Sequence, residues 1–384
     1  MFLETTQIRC YLMAHKIHEV SLASYTHIHS KFLAHKITLS GLGDDAFAKS
    51  LATARVDMNP HQVDAALFAL QSPLSKGVML ADEVGLGKTI EASLVIAQKW
   101  AEQKRRILLI VPASLRKQWA QELSDKFSLP TRILDAKTYR DLEKAGHKRP
   151  FDTNKHIVIA SYEFVARHAN RVGVISWDMV IYDEAHKLRN VYRANGAKRA
   201  KVLKQALSQP FKLLLTATPL QNSLMELFGL VSMIDDHHFG SEYAFKSMYV
   251  GPGRSIASMH TLRKRLQPIC KRTLRGQVQE AGHINYTNRI AKTFDFEAGN
   301  EEVKLYESVS GYLQRENTIG FGQRSNPLLI LVARKTLGSS TAAIAQFLDK
   351  VIQRLTNLKT TDEELLEDIE IIDEIAEELD QDEM

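Results

Sequence analysis

Asp82 to Thr89, read DEVGLGKT, constrains this chain more than any other stretch. An apolar run, Val78-Met79-Leu80, precedes it, and a helix-like run, Ile90 to Lys99, follows it. Strand, glycine-bearing turn and helix N-terminus in that order make a phosphate-binding loop. Gly85 and Gly87 can take the backbone angles that turn N–H groups toward phosphate oxygens. Glu83, Val84 and Leu86 complete the loop between them, so Asp82 to Thr89 is the candidate nucleotide-binding set. Lys88 can reach the outer phosphates as a point charge, and the Thr89 hydroxyl can ligate Mg²⁺. Asp82 stands where such loops usually begin with glycine, and a bare G-K-T also arises by chance.

A second stretch gives the loop its meaning. Residues 178–190 read DMVIYDEAHKLRN: an apolar strand, Met179 to Tyr182, ends in Asp183 and Glu184, with His186 just behind. A nucleotide hydrolase needs one acid for Mg²⁺ and another to orient or activate the attacking water. Adjacent carboxylates at a strand end supply both, because consecutive side chains point different ways. An acidic pair after a strand is, by itself, an ordinary solvated turn or helix cap. Its arrival downstream of DEVGLGKT favours the chemical reading. Residues 213–219, LLLTATP, add a third strand end, where Thr216 and Thr218 can hydrogen-bond toward the acids. By itself that run is a strand closing on a turn-favouring proline.

These three runs together resemble the Swi/Snf-type ATPases of helicase superfamily two, and within them the bacterial RapA-like branch. The likeness is strong from Asn59 to Asn222 and continues to about Leu355. It implies a RecA-like lobe, ATP and Mg²⁺ as cofactors, and double-stranded DNA as the track. It also implies residue roles. Gln62, in NPHQVDAALFAL, would read adenine; Lys88 and Thr89 would bind phosphate and metal. Asp183 would support the metal and Glu184 would be the catalytic base. His186, Thr216 and Thr218 would couple the ATP site to DNA. VPASLRKQW, Val111 to Trp119, resembles a segment that touches DNA backbone, with Ser114 and Arg116 as the contacts; IASYE, Ile159 to Glu163, resembles a second. The plain alternatives are a polar residue near a helix start for Gln62 and a solvated helix face for Arg116 and Lys117. RNA polymerase and phage-defence or DNA-modification complexes are the partners the resemblance suggests.

The likeness also sets an expectation about what is missing. Motors of this kind have two RecA-like lobes, the second supplying arginines to the transferring phosphoryl group. After Asn222 no second strand–helix series and no arginine-finger motif can be read. Such an arginine is worth roughly three to five decades in rate. The sequence therefore reads as the ATP-binding half of a motor with very slow turnover alone: a fragment, a truncated gene product or one subunit of a split enzyme.

Charge is segregated. Residues 361–384 hold 13 acids and no Lys or Arg, which leaves 50 basic against 32 acidic residues, +18, over positions 1–360. A basic body suits a polyanion. LRKRLQPICKRTLR, Leu262 to Arg275, is the densest basic stretch; it reads either as a surface along DNA or between lobes, or as an exposed helix face. No Tyr or Trp interleaves with it, against single-strand stacking. Cys10 and Cys270 form no metal or redox motif, so a reducing, cytoplasmic setting is expected; the resemblance implies a bacterial, nucleoid-associated one. No apolar run approaches the ~18 residues of a spanning helix, and no signal peptide is read. His15, His18, His27, His29 and His35 lack partners at metal spacing.

The pattern predicts an α/β fold, a parallel sheet covered by helices on both faces with a helical C-terminal extension. Predicted strands are Val78–Ala81, Ile107–Val111, Ile157–Ala160, Met179–Tyr182 and Lys212–Thr216, with Thr131–Leu134 as a shorter one. Predicted helices are Lys88–Gln103, Ser114–Phe127, Ala197–Leu207 and Ser223–Ile234. Five regions follow: 1–55 of unclear role, 56–250 the ATP-binding lobe, 251–299 a basic connector, 300–360 helical, and 361–384 an acidic tail. The leading function is a DNA translocase lobe that remodels protein–DNA complexes. A strand-separating helicase and a non-catalytic, nucleotide-gated binding module are the alternatives.

Overall fold

The computed structural model describes residues 59–71, 76–193, 197–251, 255–281 and 299–313, with a few isolated positions beyond. The histidines of the first 55 residues, the acidic tail and, apart from Lys292, a short strand-like stretch that the sequence also suggests at Asn288 to Phe296 lie outside the described residues.

Seven strands form one sheet. They are β1 (Gly77–Leu80), β2 (Ile107–Val111), β3 (Thr131–Ile133), β4 (Ile157–Ser161), β5 (Met179–Tyr182), β6 (Phe211–Leu215) and β7 (Cys270–Lys271). Their order across the sheet is β3-β4-β2-β5-β6-β1-β7, and every pair is parallel. Parallel pairing needs a crossover between neighbours, and helices supply it. β1, β2, β4 and β5 are buried at every position, as their largely apolar sequences, GVML, ILLIV, IVIAS and MVIY, require of strands covered on both sides.

Strand alternation divides the core in two. Val78, Leu80, Leu109, Ile181 and Leu215 face one layer, with Ala65 and Ala66 of the Pro60–Leu70 helix, Leu94 of the Lys88–Ala101 helix, and Leu123 of the Arg116–Phe127 helix. Met79, Ile110, Val158, Tyr182 and Leu214 face the other, with Phe164, Leu203 and Leu230 from the Tyr162–Arg167, Lys198–Ala206 and Leu224–Ile234 helices. The predicted strands and helices recur as elements with ends shifted by a residue or two. A separate small cluster, Val309, Leu313, Leu337 and Ile344, gathers on the Asn300–Leu313 helix.

β7 falls inside the basic stretch read as a connector. The Ile256–Leu266 helix occupies its first part, and the chain then pairs with β1 as an edge strand. Met79 N–H donates to Ile269 O at 2.7 Å and Ala81 N–H to Lys271 O at 2.7 Å. Two residues, between Ile269 and Arg272, carry no local strand pattern; the edge of β1, with its unsatisfied backbone groups, recruits them. Among the described residues no helix is long and apolar enough to cross a membrane.

Candidate nucleotide site

The loop after β1 and the acids after β5 stand at the same end of the sheet, one strand apart, because β6 lies between β1 and β5. Ligand loops gather at the carboxyl ends of strands in such sheets. Gly85 and Gly87 take φ of +85° and +89°, the left-handed region that glycine enters without cost. Gly87 has a second reason to lack a side chain: a Cβ there would meet Gln62 Nε2 at 2.3 Å. The N–H groups of Val84, Gly85, Gly87, Lys88 and Thr89 have no partner among the described residues. A run of unpartnered N–H groups leading into a helix N-terminus fits a phosphate chain. The donor set therefore suits a nucleoside triphosphate.

Lys88 Nζ donates to Asp82 O at 2.8 Å, which holds the ammonium across its own loop. Its charge favours the ionised form of both acids, as a minor influence beside burial at Asp183 and His186 at Glu184, so the lysine and the acid pair feel one another. Asp183 is buried. Trp119 Nε1–H donates to its Oδ2 at 2.7 Å, Glu184 N–H to its Oδ1 at 2.9 Å, and Tyr162 O–H to its carbonyl at 2.6 Å. Burial pushes the Asp183 carboxyl up to about 6, against the pull of Trp119 and Lys88. Glu184 sits at φ +49°, ψ +49°, a left-handed conformation rare outside glycine and typical of functional strain. His186 Nδ1 lies 3.0 Å from Glu184 Oε2, within ion-pair range but off hydrogen-bond geometry, and holds that carboxyl below its usual range. Thr89, opening the helix after the loop, and Asp183, at the end of β5, carry oxygens that could hold Mg²⁺.

Gln62 packs against the phosphate loop. Its Nε2 donates to Leu86 O at 2.9 Å and its Oε1 accepts from Asn59 N–H at 3.0 Å; His61 Nε2 also contacts Leu86 O at 3.0 Å. Thr216 is buried, donates its N–H to Leu80 O at 3.1 Å, and accepts from Thr218 N–H at 3.2 Å. No hydrogen bond joins His186 to either threonine. The link between the second and third motifs runs through residues the sequence reading did not single out. Arg189 donates to Gln221 Oε1 at 2.5 Å and stands 3.8 Å from Glu226 Oε1, both charges buried. Glu226 Oε2 accepts from Gln221 N–H at 2.9 Å and Asn222 N–H at 3.2 Å. Gly229 lets this helix close in, since a Cβ there would lie 1.9 Å from Arg189 O.

The chain after β7 straps the loop. Glu83 N–H donates to Thr273 O at 3.1 Å, and Thr273 N–H to Asp82 Oδ1 at 2.7 Å. Arg275 N–H donates to Glu83 Oε2 and its Nε to Val84 O, each at 2.8 Å. Asp82 thus acts through its side chain where a first glycine could not. Beside it lies Glu91, fully buried and pushed up to about 9, by burial first and by the Asp82 carboxylate second. Asp82 Oδ2 and both Glu91 oxygens have no donor among the described residues. A proton on Glu91 makes the two an acid–carboxylate pair and resolves the deficit.

The candidate polyanion contacts divide. Ser114 is exposed on the short helical turn Ala113–Leu115, and Arg116, half-buried, donates its Nε to Ala113 O at 3.0 Å. Ile159 to Glu163 is buried throughout, with Glu163 paired to Arg199 at 2.5 Å, so its side chains face the lobe interior.

Comparison with known proteins agrees with this geometry. The model of the SNF2-related domain family matches residues 25–361. The uncharacterized ATP-dependent helicase YqhH of Bacillus subtilis is 30% identical over 298 residues, 77% of this chain and 49% of that protein. The RNA polymerase-associated protein RapA of Pectobacterium carotovorum is 37% identical over 189 residues, 48% of this chain and 19% of RapA. The chain thus spans about half of YqhH and a fifth of RapA. The SWI2/SNF2 ATPase core of Sulfolobus solfataricus, solved with double-stranded DNA, superposes with a TM-score of 0.53 over 79% of this chain and 66% of its own, at 19% identity. The sheet is that of a RecA-like lobe, and the chain belongs to the SNF2-related domain family of Swi/Snf-type, superfamily-two ATPases.

Proposed function

We propose that this chain is the ATP-binding lobe of a DNA-dependent ATPase that moves along double-stranded DNA and remodels protein–DNA complexes. The observation that carries the reading is the pairing of an unpartnered phosphate nest and Lys88 with Asp183 and Glu184 across β6. In it, the loop N–H groups and Lys88 hold the phosphates, and Gln62 stands at the loop's flank for the adenine. Bound Mg²⁺, on Thr89 and Asp183, would neutralise charge on the phosphate oxygens. Glu184, kept ionised by His186, accepts a hydrogen bond from the attacking water, aligns it, and takes its proton as the new O–P bond forms at the terminal phosphorus and the bond to the bridging oxygen breaks, releasing ADP and phosphate. Ser114 and Arg116 face the DNA backbone.

The Sulfolobus core's double-stranded DNA supports DNA as the track, and RapA's association with RNA polymerase supports that enzyme as one partner. A phage-defence or DNA-modification complex is the other partner class. Strand separation is the second reading, favoured by the helicase description of YqhH. Arginines of the kind a second lobe supplies are worth roughly three to five decades in rate, so slow turnover is the expected result for this chain assayed alone. The test is ATP hydrolysis by the purified chain, with and without duplex DNA, against Glu184→Gln. Slow wild-type turnover, abolished in the variant while nucleotide binding stays, supports the reading. Equal rates for the two proteins refute catalysis and leave a nucleotide-gated binding module. Rapid DNA-stimulated turnover by the chain alone refutes its incompleteness.

A further inference from the structure

Two aromatic side chains from two different strand ends converge on one acid. Trp119, 2% exposed, donates its indole N–H to Asp183 Oδ2 at 2.7 Å. Tyr162, fully buried, donates its hydroxyl to Asp183 O at 2.6 Å. Trp119 comes from the first turn of the Arg116–Phe127 helix after β2, and Tyr162 opens the helix after β4. β2 is the direct neighbour of β5, so the Trp119 helix lies within reach of the acid at β5's end. Trp119 is the larger commitment. An indole has one polar atom, a donor, and burying it is costly unless it is paired. Val172 O satisfies Trp177 in the ordinary way, through a main-chain carbonyl. Trp119 instead spends its only donor on a carboxylate oxygen.

We infer that Trp119 is a positioning residue for the Asp183 carboxylate, and that it makes the Arg116–Phe127 helix a lever on the divalent-cation site. The inference rests on the nucleotide reading of the site above. With Oδ2 tied to the indole and Oδ1 to the Glu184 N–H, the carboxylate has one fixed orientation and its remaining lone pairs have fixed directions. A displacement of the helix start, where Ser114 and Arg116 sit, moves the indole and turns the carboxylate. Tyr162 holds the main chain of Asp183 and not its carboxylate, so it anchors the strand end without setting that orientation. Partners that orient a metal-binding group in this way typically change metal affinity 10- to 100-fold when removed.

The test measures affinity of the full chain for a fluorescent ATP analogue, in Mg²⁺ and in EDTA, for the wild-type protein, Trp119→Phe and Tyr162→Phe. Phenylalanine keeps the apolar packing at position 119 and removes the donor. The expected result is EDTA affinity within about twofold of wild type for Trp119→Phe, with the Mg²⁺ gain reduced about 10- to 100-fold. Tyr162→Phe should lower stability and keep the Mg²⁺ gain. A merely structural Trp119 would shift both affinities together, or neither, and either result overturns the inference. Absence of any nucleotide binding by the wild-type protein would overturn the nucleotide reading itself, a separate outcome. Should Trp119→Phe fail to fold, the wild-type indole N–H resonance decides. Trp100→Phe and Trp177→Phe assign the other two tryptophans, and adding Mg²⁺ to the ADP complex should shift the Trp119 signal. An unmoved signal overturns the proposal.

Discussion

Glu91→Gln isolates the buried acid pair beneath the phosphate loop. Glu91 is fully buried, and its carboxyl is pushed from an ordinary 4.5 to about 9. The folded protein therefore holds a proton that the unfolded chain releases between those two values. Stability rises with pH only where the unfolded state binds more protons. Here the folded state binds more, so Glu91's contribution is full below about 4.5 and falls as pH climbs toward about 9. Each unit is worth about 1.4 kcal/mol, so from pH 6 to pH 8.5 the wild-type protein should lose on the order of 3 kcal/mol. Glutamine keeps the shape, donates an N–H to Asp82 as the protonated acid does, and does not titrate. Urea unfolding, followed by tryptophan fluorescence, should show the two proteins closest in stability near and below pH 4.5, with the gap in favour of the variant widening by that order between pH 6 and pH 8.5. All three tryptophans, Trp100, Trp119 and Trp177, report on this lobe. Parallel stability–pH curves would show that Glu91 is ionised in the fold and that the acid pair is misassigned.

Two more substitutions probe the elements around the site. Arg275→Ala removes the guanidinium bond to Val84 O while leaving the backbone bond to Glu83, and should weaken ATP-analogue binding about three- to tenfold; an unchanged titration would mean the strap does not shape the loop. Gly229→Ala places a Cβ 1.9 Å from Arg189 O and should cost about 1–3 kcal/mol in urea unfolding, since a backbone atom cannot swing aside. A variant as stable as wild type would refute the close approach.

The central strands were legible because each is a short, largely apolar run, and helices of ordinary period separate them. DEVGLGKT and DEAH were legible because their chemistry depends on local spacing. β7 was not, since only the β1 edge makes Cys270 and Lys271 a strand. The strap by Thr273 and Arg275, the Trp119 bond to Asp183, and the Arg189–Gln221–Glu226 network all join residues distant in sequence. Nothing in local pattern announces them. A tryptophan in a helix reads as core, as Trp119 also is, and its single donor finds its acceptor only once β2 and β5 are neighbours. Glu91 reads as an unremarkable helix-first-turn acid, and burial alone changes its protonation. Gln62 was singled out through the family likeness as an adenine reader; what the structure adds is a hydrogen bond to Leu86 O that ties the preceding helix to the loop.

The account depends on Lys88 and the Asp183–Glu184 pair forming one nucleotide site. Equilibrium titration of a fluorescent ATP analogue with Mg²⁺, comparing the wild-type chain with Lys88→Ala, tests this most directly. Losing a charge-assisted contact of about 1.5–3 kcal/mol should weaken binding roughly 10- to 100-fold with the fold intact by circular dichroism. Equal affinity in the two proteins would contradict the account.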